Sequence, residues 1–234
     1  SYPIDCETFM KDNSGKYVKY LWDPNSYINI MVYNFTTEPN SNSVTLGISH
    51  IPFSTTGEHY LEGLGETDYS HLTLANLQFP LSVSINSLYI NEESTPTEYS
   101  TADIAVTLAH ELGHYLGLHH VFAETDNGTC EDTDYCKDTK SYNKQEYDSN
   151  CDYIYENERA KYTFENLVKR TGCDGIEFIS YNIMDYAISY SNQFTQNQRE
   201  RIRHVLSCSP LIPGPKKGDI DTRALNEGPL DLPI

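Results

Sequence analysis

Residues 110–120 read His110-Glu111-Leu112-Gly113-His114-Tyr115-Leu116-Gly117-Leu118-His119-His120. His110 and His114 stand four apart, so on a helix they share one face and can grip one ion. Glu111 lies beside them, placed to take a proton from a water rather than to bind metal. Gly117 can adopt the left-handed conformation that ends a helix, which lets the chain turn and bring back His120 as a third ligand. Three protein ligands leave a fourth position open, the pattern of a catalytic rather than a structural zinc. Five fixed positions recur by chance on the order of once in ten million windows, so the bland alternative, an amphipathic helix with stray histidines, carries little weight. His119 reads as a rim residue, because the longer spacing selects His120.

Outward from this segment, the helix is expected to start near Ser100 or Thr101, either of which can cap it, with Asp103 in its first turn. Ile104, Ala105, Leu108, Leu112 and Leu116 recur at spacings of three and four. Upstream, 28–35 (INIMVYNF) predicts a buried strand, and 43–53 and 81–90 predict two more. Downstream, 121–160 is polar, acidic and cysteine-bearing, and reads mostly as loop. A short helix is expected over 164–170. A longer one is expected over 195–207, with Thr195 and Gln198 at capping-box spacing and Ile202, Val205 and Leu206 as its apolar face. Residues 209–234 are rich in Pro, Gly and charge, and read as a tail docked on the domain.

The chain has 234 residues, 38% of them hydrophobic, a formal net charge of −18 and 19 tyrosines. That length suits one domain, here 1–208, and such a charge disfavours nucleic acid and anionic lipid as partners. The sequence contains no apolar run of the roughly 20 residues a membrane helix needs. Ser1 reads as a processed or trimmed start. Cysteines stand at 6, 130, 136, 151, 173 and 208. Their even number and the absence of a C-x-x-C pair argue for disulfides and an oxidising compartment, against the alternative of reduced buried thiols. Of the fifteen pairings open to six cysteines, Cys130–Cys173, Cys136–Cys151 and Cys6–Cys208 are expected. Asn34 and Asn127 open N-x-S/T glycosylation sequences.

The 110–120 segment resembles the metzincin zinc signature H-E-x-x-H-x-x-G-x-x-H. A second likeness lies in Tyr181-Asn182-Ile183-Met184-Asp185-Tyr186. Metzincins carry a methionine turn beneath the zinc histidines, which Met184 matches, and in several of their families a Tyr two residues later helps stabilise the transition state, which Tyr186 matches. Within the clan the chain is most similar to the pappalysins, through His110–Phe122, Asp138-Thr139, Asn182–Tyr186 and Gln193–Arg201. The likeness spans about 84–208.

The resemblance implies an α+β metzincin fold. Its upper lobe, about 1–117, has a twisted mixed sheet and the active-site helix; an irregular, disulfide-stapled lower lobe covers about 118–208, and substrate lies between. It implies a secreted, periplasmic or cell-surface zinc endopeptidase, expected as a monomer acting on protein or peptide. A lipid anchor on a removed N-terminal segment is compatible with it. Glu111 would serve as general base, Tyr186 as oxyanion stabiliser, and Met184 as apolar floor. An extended peptide would pair with an edge strand of the upper sheet, for which 84–90 is the candidate. The resemblance also implies calcium near the loop after the zinc motif, at Asp132, Asp134, Asp138 and Thr139; a solvated acidic loop is the alternative there. Some pappalysins prefer Arg or Lys after the cut and hold an acidic residue a few positions after the methionine turn. Here Ser189 falls about where that acid would be, so no strict preference for a basic residue is expected. Two other functions fit the same motifs less well: a non-catalytic binding module, which would be expected to lose Glu111 or a histidine, and a zinc hydrolase of a non-peptide amide.

Overall fold

A computed structural model of the chain describes residues 2–36, 44–95, 98–124, 129–186, 188–217 and 232. Ser43, Asn127, Ala187 and most of the tail beyond Lys217 lie outside the described residues. The chain divides into two compact units, residues 1–117 together with 200–234, and residues 118–199.

The first unit is built on a three-stranded sheet. Strand β1 (Ile30–Tyr33) pairs in parallel with β5 (Val83–Asn86), which pairs antiparallel with β2 (Gly47–Ser49). All four residues of β5 are buried. Val83 and Ile85 join a core with Phe53, Leu72, Phe79, Tyr115, Val205, Leu211 and Ile212. A strand buried throughout is what a central position demands, and the order is β1-β5-β2. The expectation that 84–90 forms an edge is therefore corrected. Residues 87–89 turn into a 3-10 helix, and β1 and β2 are the edges among the described residues. Strand β1 is shorter than 28–35 and not buried, since Ile30 is 42% and Val32 55% exposed. The 43–53 run holds β2 and the start of β3 (Phe53–Thr55), which pairs in parallel with β4 (Gly65–Thr67).

On the other side of β5, Ser84 donates to the sulfur of Met10 at the end of helix α1 (Cys6–Met10), at 3.2 Å, and Ser82 donates to the Pro80 carbonyl at 2.6 Å. His50 is buried there with both ring nitrogens engaged, by Ser82 and by the Met10 carbonyl, and burial lowers its pKa to about 4. It is a neutral core histidine.

Helix α2 (Ile104–Tyr115) starts later than Ser100 or Thr101. Asp103 is its N-cap and accepts from Ala105 and Val106, while its other oxygen accepts from Ser94. A carboxylate at this position satisfies two orphan amides and complements the helix dipole. The helix ends as expected at Gly117, whose φ is +90°. A Cβ there would sit 2.8 Å from Val205 Cγ2, so backbone and packing both require glycine. Arg201, on helix α5 (Gln196–Cys208), is buried and donates to the carbonyls of Gly117 and Glu62, both at 2.5 Å.

The second unit contains helix α3 (Lys144–Asn157), helix α4 (Phe164–Leu167) and a hairpin of β6 (Lys169–Thr171) and β7 (Glu177–Ile179). Helix α3 falls where loop was expected. Asn143 caps it by accepting from the Glu146 amide, and Lys144 pairs with Asp148 one turn further on. Thr195 and Gln198 form the expected capping box at the start of α5.

Beneath α3 lies a buried ion pair, Arg170 Nε to Asp185 Oδ2 at 3.4 Å. Arg170 donates to the carbonyls of Leu167 and Ile188 and stacks 3.8 Å from the Tyr147 ring. Asp185 accepts from Tyr142, Ser180 and the Tyr186 amide. With its oxygens and most of its donors satisfied, this network replaces part of an apolar core.

Cys130 and Cys173 form the expected disulfide, with Cα atoms 5.4 Å apart. The other two pairings are corrected: Cys6, Cys136, Cys151 and Cys208 are thiols. Cys151 sits on α3, a helix rather than a loop, and its thiol meets Tyr147 instead of Cys136. In the first unit Cys208 lies near Lys216 and Lys217, whereas Cys6 lies on α1 beside Tyr33. Thiol titration of the denatured, unreduced protein should therefore count four thiols. Replacing Cys130 and Cys173 by Ser should lower stability by about 2–4 kcal/mol in urea unfolding, the range for a loop of this size.

Candidate active site

Helix α2 and the turn that follows it carry the site. Four residues on a helix return to one face, and the Nε2 atoms of His110 and His114 lie 3.1 Å apart. One ligand atom each of His110, His114 and His120 lies within 4.8 Å of the others, and among the described residues this is the group able to hold a metal ion. Three imidazole nitrogens suit zinc. The His120 ring stacks on Phe122 at 4.7 Å and meets Tyr186 edge-on at 4.6 Å. Its Nδ1 faces the Glu124 carboxylate. His119 packs against Tyr135.

Glu111 is buried, and burial pushes its carboxyl up to about 8. Its place depends on a residue that sequence reasoning missed. A Cβ on Gly47, in the edge strand β2, would stand 2.5 Å from Glu111 Cγ and 2.8 Å from its Oε1. Glycine is required because the carboxylate side chain occupies the space a larger residue would fill. An isolated glycine inside a strand pattern was the available signal, since it marks close approach by another group.

Met184 is fully buried and its carbonyl accepts from Val121. Asn182 orders the same turn. Its Oδ1 accepts from the Met184 amide and from Gln198 Nε2, and its Nδ2 donates to Gln198 Oε1. Tyr186 is 46% exposed, with its phenol ring between His120 and Lys144.

The four residues expected around calcium make the following contacts. Asp134 is buried, with Oδ1 accepting from the Cys136 amide and Oδ2 without a hydrogen-bond partner. Asp132 accepts from the Asp134 amide. Asp138 turns away to the start of α5, where it accepts from the Asn197 amide, and Thr139 donates to the Cys136 carbonyl. Positive potential at the helix start draws the Asp138 charge there.

The match to a known family extends over most of this framework. Residues 12–207 match the Peptidase_M43 family, described as pregnancy-associated plasma protein-A. The chain belongs to this metallopeptidase family. Extracellular metalloproteases of Arthroderma benhamiae and Trichophyton verrucosum are each 37% identical over 97 residues, which is 41% of this chain and 29% of theirs. The match thus spans less than a third of the length of these relatives. The fold is similar to that of promirolysin from Tannerella forsythia, a metzincin, with 18% identity, a TM-score of 0.50, and coverage of 88% of this chain and 54% of that one.

Burial, reinforced by the Asp132 carboxylate, raises Asp134 from 3.8 to about 7. The protonated form is favoured by folding, so the stability it contributes is full below pH 3.8 and is lost as pH rises through about 7. Asp134→Asn keeps the acceptor for Cys136 and carries no charge. In calorimetry of the metal-free protein it should melt above wild type at pH 8 and with it at pH 3, values that bracket this titration.

Proposed function

We propose that this chain is a secreted zinc endopeptidase that hydrolyses peptide bonds of proteins. The observation that carries the reading is the convergence of His110, His114 and His120, with Glu111 buried on the helix that carries the first two. The three imidazoles would hold the ion. Zinc, when bound, supplies a Lewis acid that makes water nucleophilic near neutral pH. The Glu111 carboxylate takes the proton of the attacking water and later hands it to the leaving amine, as general base and then general acid. Its raised proton affinity in a buried site suits it to both roles, and a nearby cation would bring it down toward the working range. Tyr186, half exposed at the edge of His120, donates a hydrogen bond from its phenol to the oxygen that gains charge. Met184 supports the turn from below as a soft apolar floor. An extended peptide would add to the antiparallel edge strand β2 through backbone hydrogen bonds. Membership of a metallopeptidase family and extracellular relatives support this reading.

The same reading covers cleavage preference. Ser189 is fully buried, with its hydroxyl oxygen 2.8 Å from that of Ser180. The nearby Asp185 carboxylate is already paired with Arg170. A hydroxyl beside a committed carboxylate cannot neutralise an incoming guanidinium, and an unpaired buried cation costs roughly 3–5 kcal/mol. Apolar or mid-sized residues are accepted after the cut instead. Profiling in a peptide library should show no dominance of Arg or Lys at that position, and such dominance would overturn the assignment.

Glu111→Ala should abolish turnover of denatured protein while zinc content by atomic absorption stays stoichiometric; comparable turnover would refute the role of the carboxylate. Gly47→Ala should displace the same side chain and lower kcat on the order of 100-fold, the effect of misplacing a reacting group by about 1 Å, with zinc content again unchanged.

A further inference from the structure

We propose that Glu124 is a positioning residue that fixes His120 for the metal and so sets the zinc affinity of the site. The inference rests on the zinc reading above. Glu124 stands four residues beyond His120, outside the zinc signature, and its Oε1 accepts from His120 Nδ1. A proton held on Nδ1 leaves the lone pair on Nε2, the same atom that His110 and His114 turn toward each other.

Phe122, Tyr186 and Glu124 each restrain the ring. Phe122 lies parallel to it, with an interplanar angle of 11°, and fixes its tilt. Tyr186 closes one edge at 77°. Neither aromatic contact distinguishes the two nitrogens of the imidazole. Glu124 does, because only a ring with Nδ1 toward the carboxylate makes the charge-assisted bond. The backbone that carries the carboxylate is anchored: the Glu124 amide donates to Thr133 Oγ1 at 3.3 Å, and that hydroxyl donates to the Phe122 carbonyl at 3.3 Å. The two residues next to the ring are thus tied to one hydroxyl. The Glu124 side chain is 39% exposed, so removing it opens no cavity in a core. Carboxylate partners of metal-bound histidines fix the ring and strengthen its donor nitrogen, and losing one costs about 10–100-fold in metal affinity.

The test is competition for zinc between the protein and a chromophoric chelator at one pH, with wild type, Glu124→Gln and Glu124→Ala, alongside melting temperatures of the metal-free proteins. Glu124→Ala should bind zinc about 10–100-fold more weakly while its metal-free melting temperature stays at the wild-type value. Glu124→Gln, whose amide oxygen still accepts from Nδ1, should recover much of the loss. Cobalt-substituted wild type and Glu124→Ala should give the same visible spectrum. Equal zinc affinity in wild type and both variants overturns the proposal, leaving the zinc reading intact. A cobalt spectrum that changes with Glu124→Ala would make Glu124 a direct ligand and also overturn it. Failure of wild type to bind zinc would remove the zinc reading and this inference together.

Discussion

A single helix can offer two imidazoles to one point, and a third must come from chain that has left the helix. The geometry of the site therefore hangs on the turn at Gly117. Its φ of +90° excludes most side chains, and Val205 excludes any Cβ on steric grounds. The carbonyl of that glycine has lost its helical partner, and the buried guanidinium of Arg201 takes it. Val205 and Arg201 lie on one helix, α5, so the element that packs the first unit's core also holds the point where the chain leaves α2. A histidine pattern without these residues would describe ligands with no means of meeting.

Where local chemistry decides the structure, the sequence was readable. The end of α2 at Gly117 and the capping box at Thr195 and Gln198 follow from glycine conformation and from short-range hydrogen bonding. Asp103 shows the margin of error: Ser100 and Thr101 were the expected caps, and Asp103, expected inside the first turn, is the cap because its carboxylate reaches two amides. Helix α3 was not readable from its apolar pattern, because none of its residues is fully buried. Its signal was the pairing of Asn143 with Glu146. The position of β5 in the sheet could not come from periodicity, which reports burial and not neighbours. In hindsight, its continuous burial was the better guide to a central place.

The site divides along the same line. His110, Glu111, His114 and His120 stand in one short segment, where helical spacing gathers the first three and the turn at Gly117 returns the last. Gly47 is distant in sequence and matters through an absence of atoms, which no motif records. The disulfides behave likewise. Cys130 and Cys173 are joined, whereas Cys151 was carried onto another face by a helix that composition had concealed.

The buried Arg170–Asp185 pair gives the second unit a different thermal character from the first. The first unit relies on an apolar core, whose stabilisation per unit area levels off on heating. Ion hydration carries a strongly negative entropy, so the cost of removing Arg170 and Asp185 from water falls as temperature rises. Their attraction, with Tyr142, Ser180 and the carbonyls of Leu167 and Ile188 around them, is largely retained. Near room temperature the pair contributes little net stability, but its share grows with warming, so the segment just beyond the methionine turn is held best when the apolar core is losing its advantage.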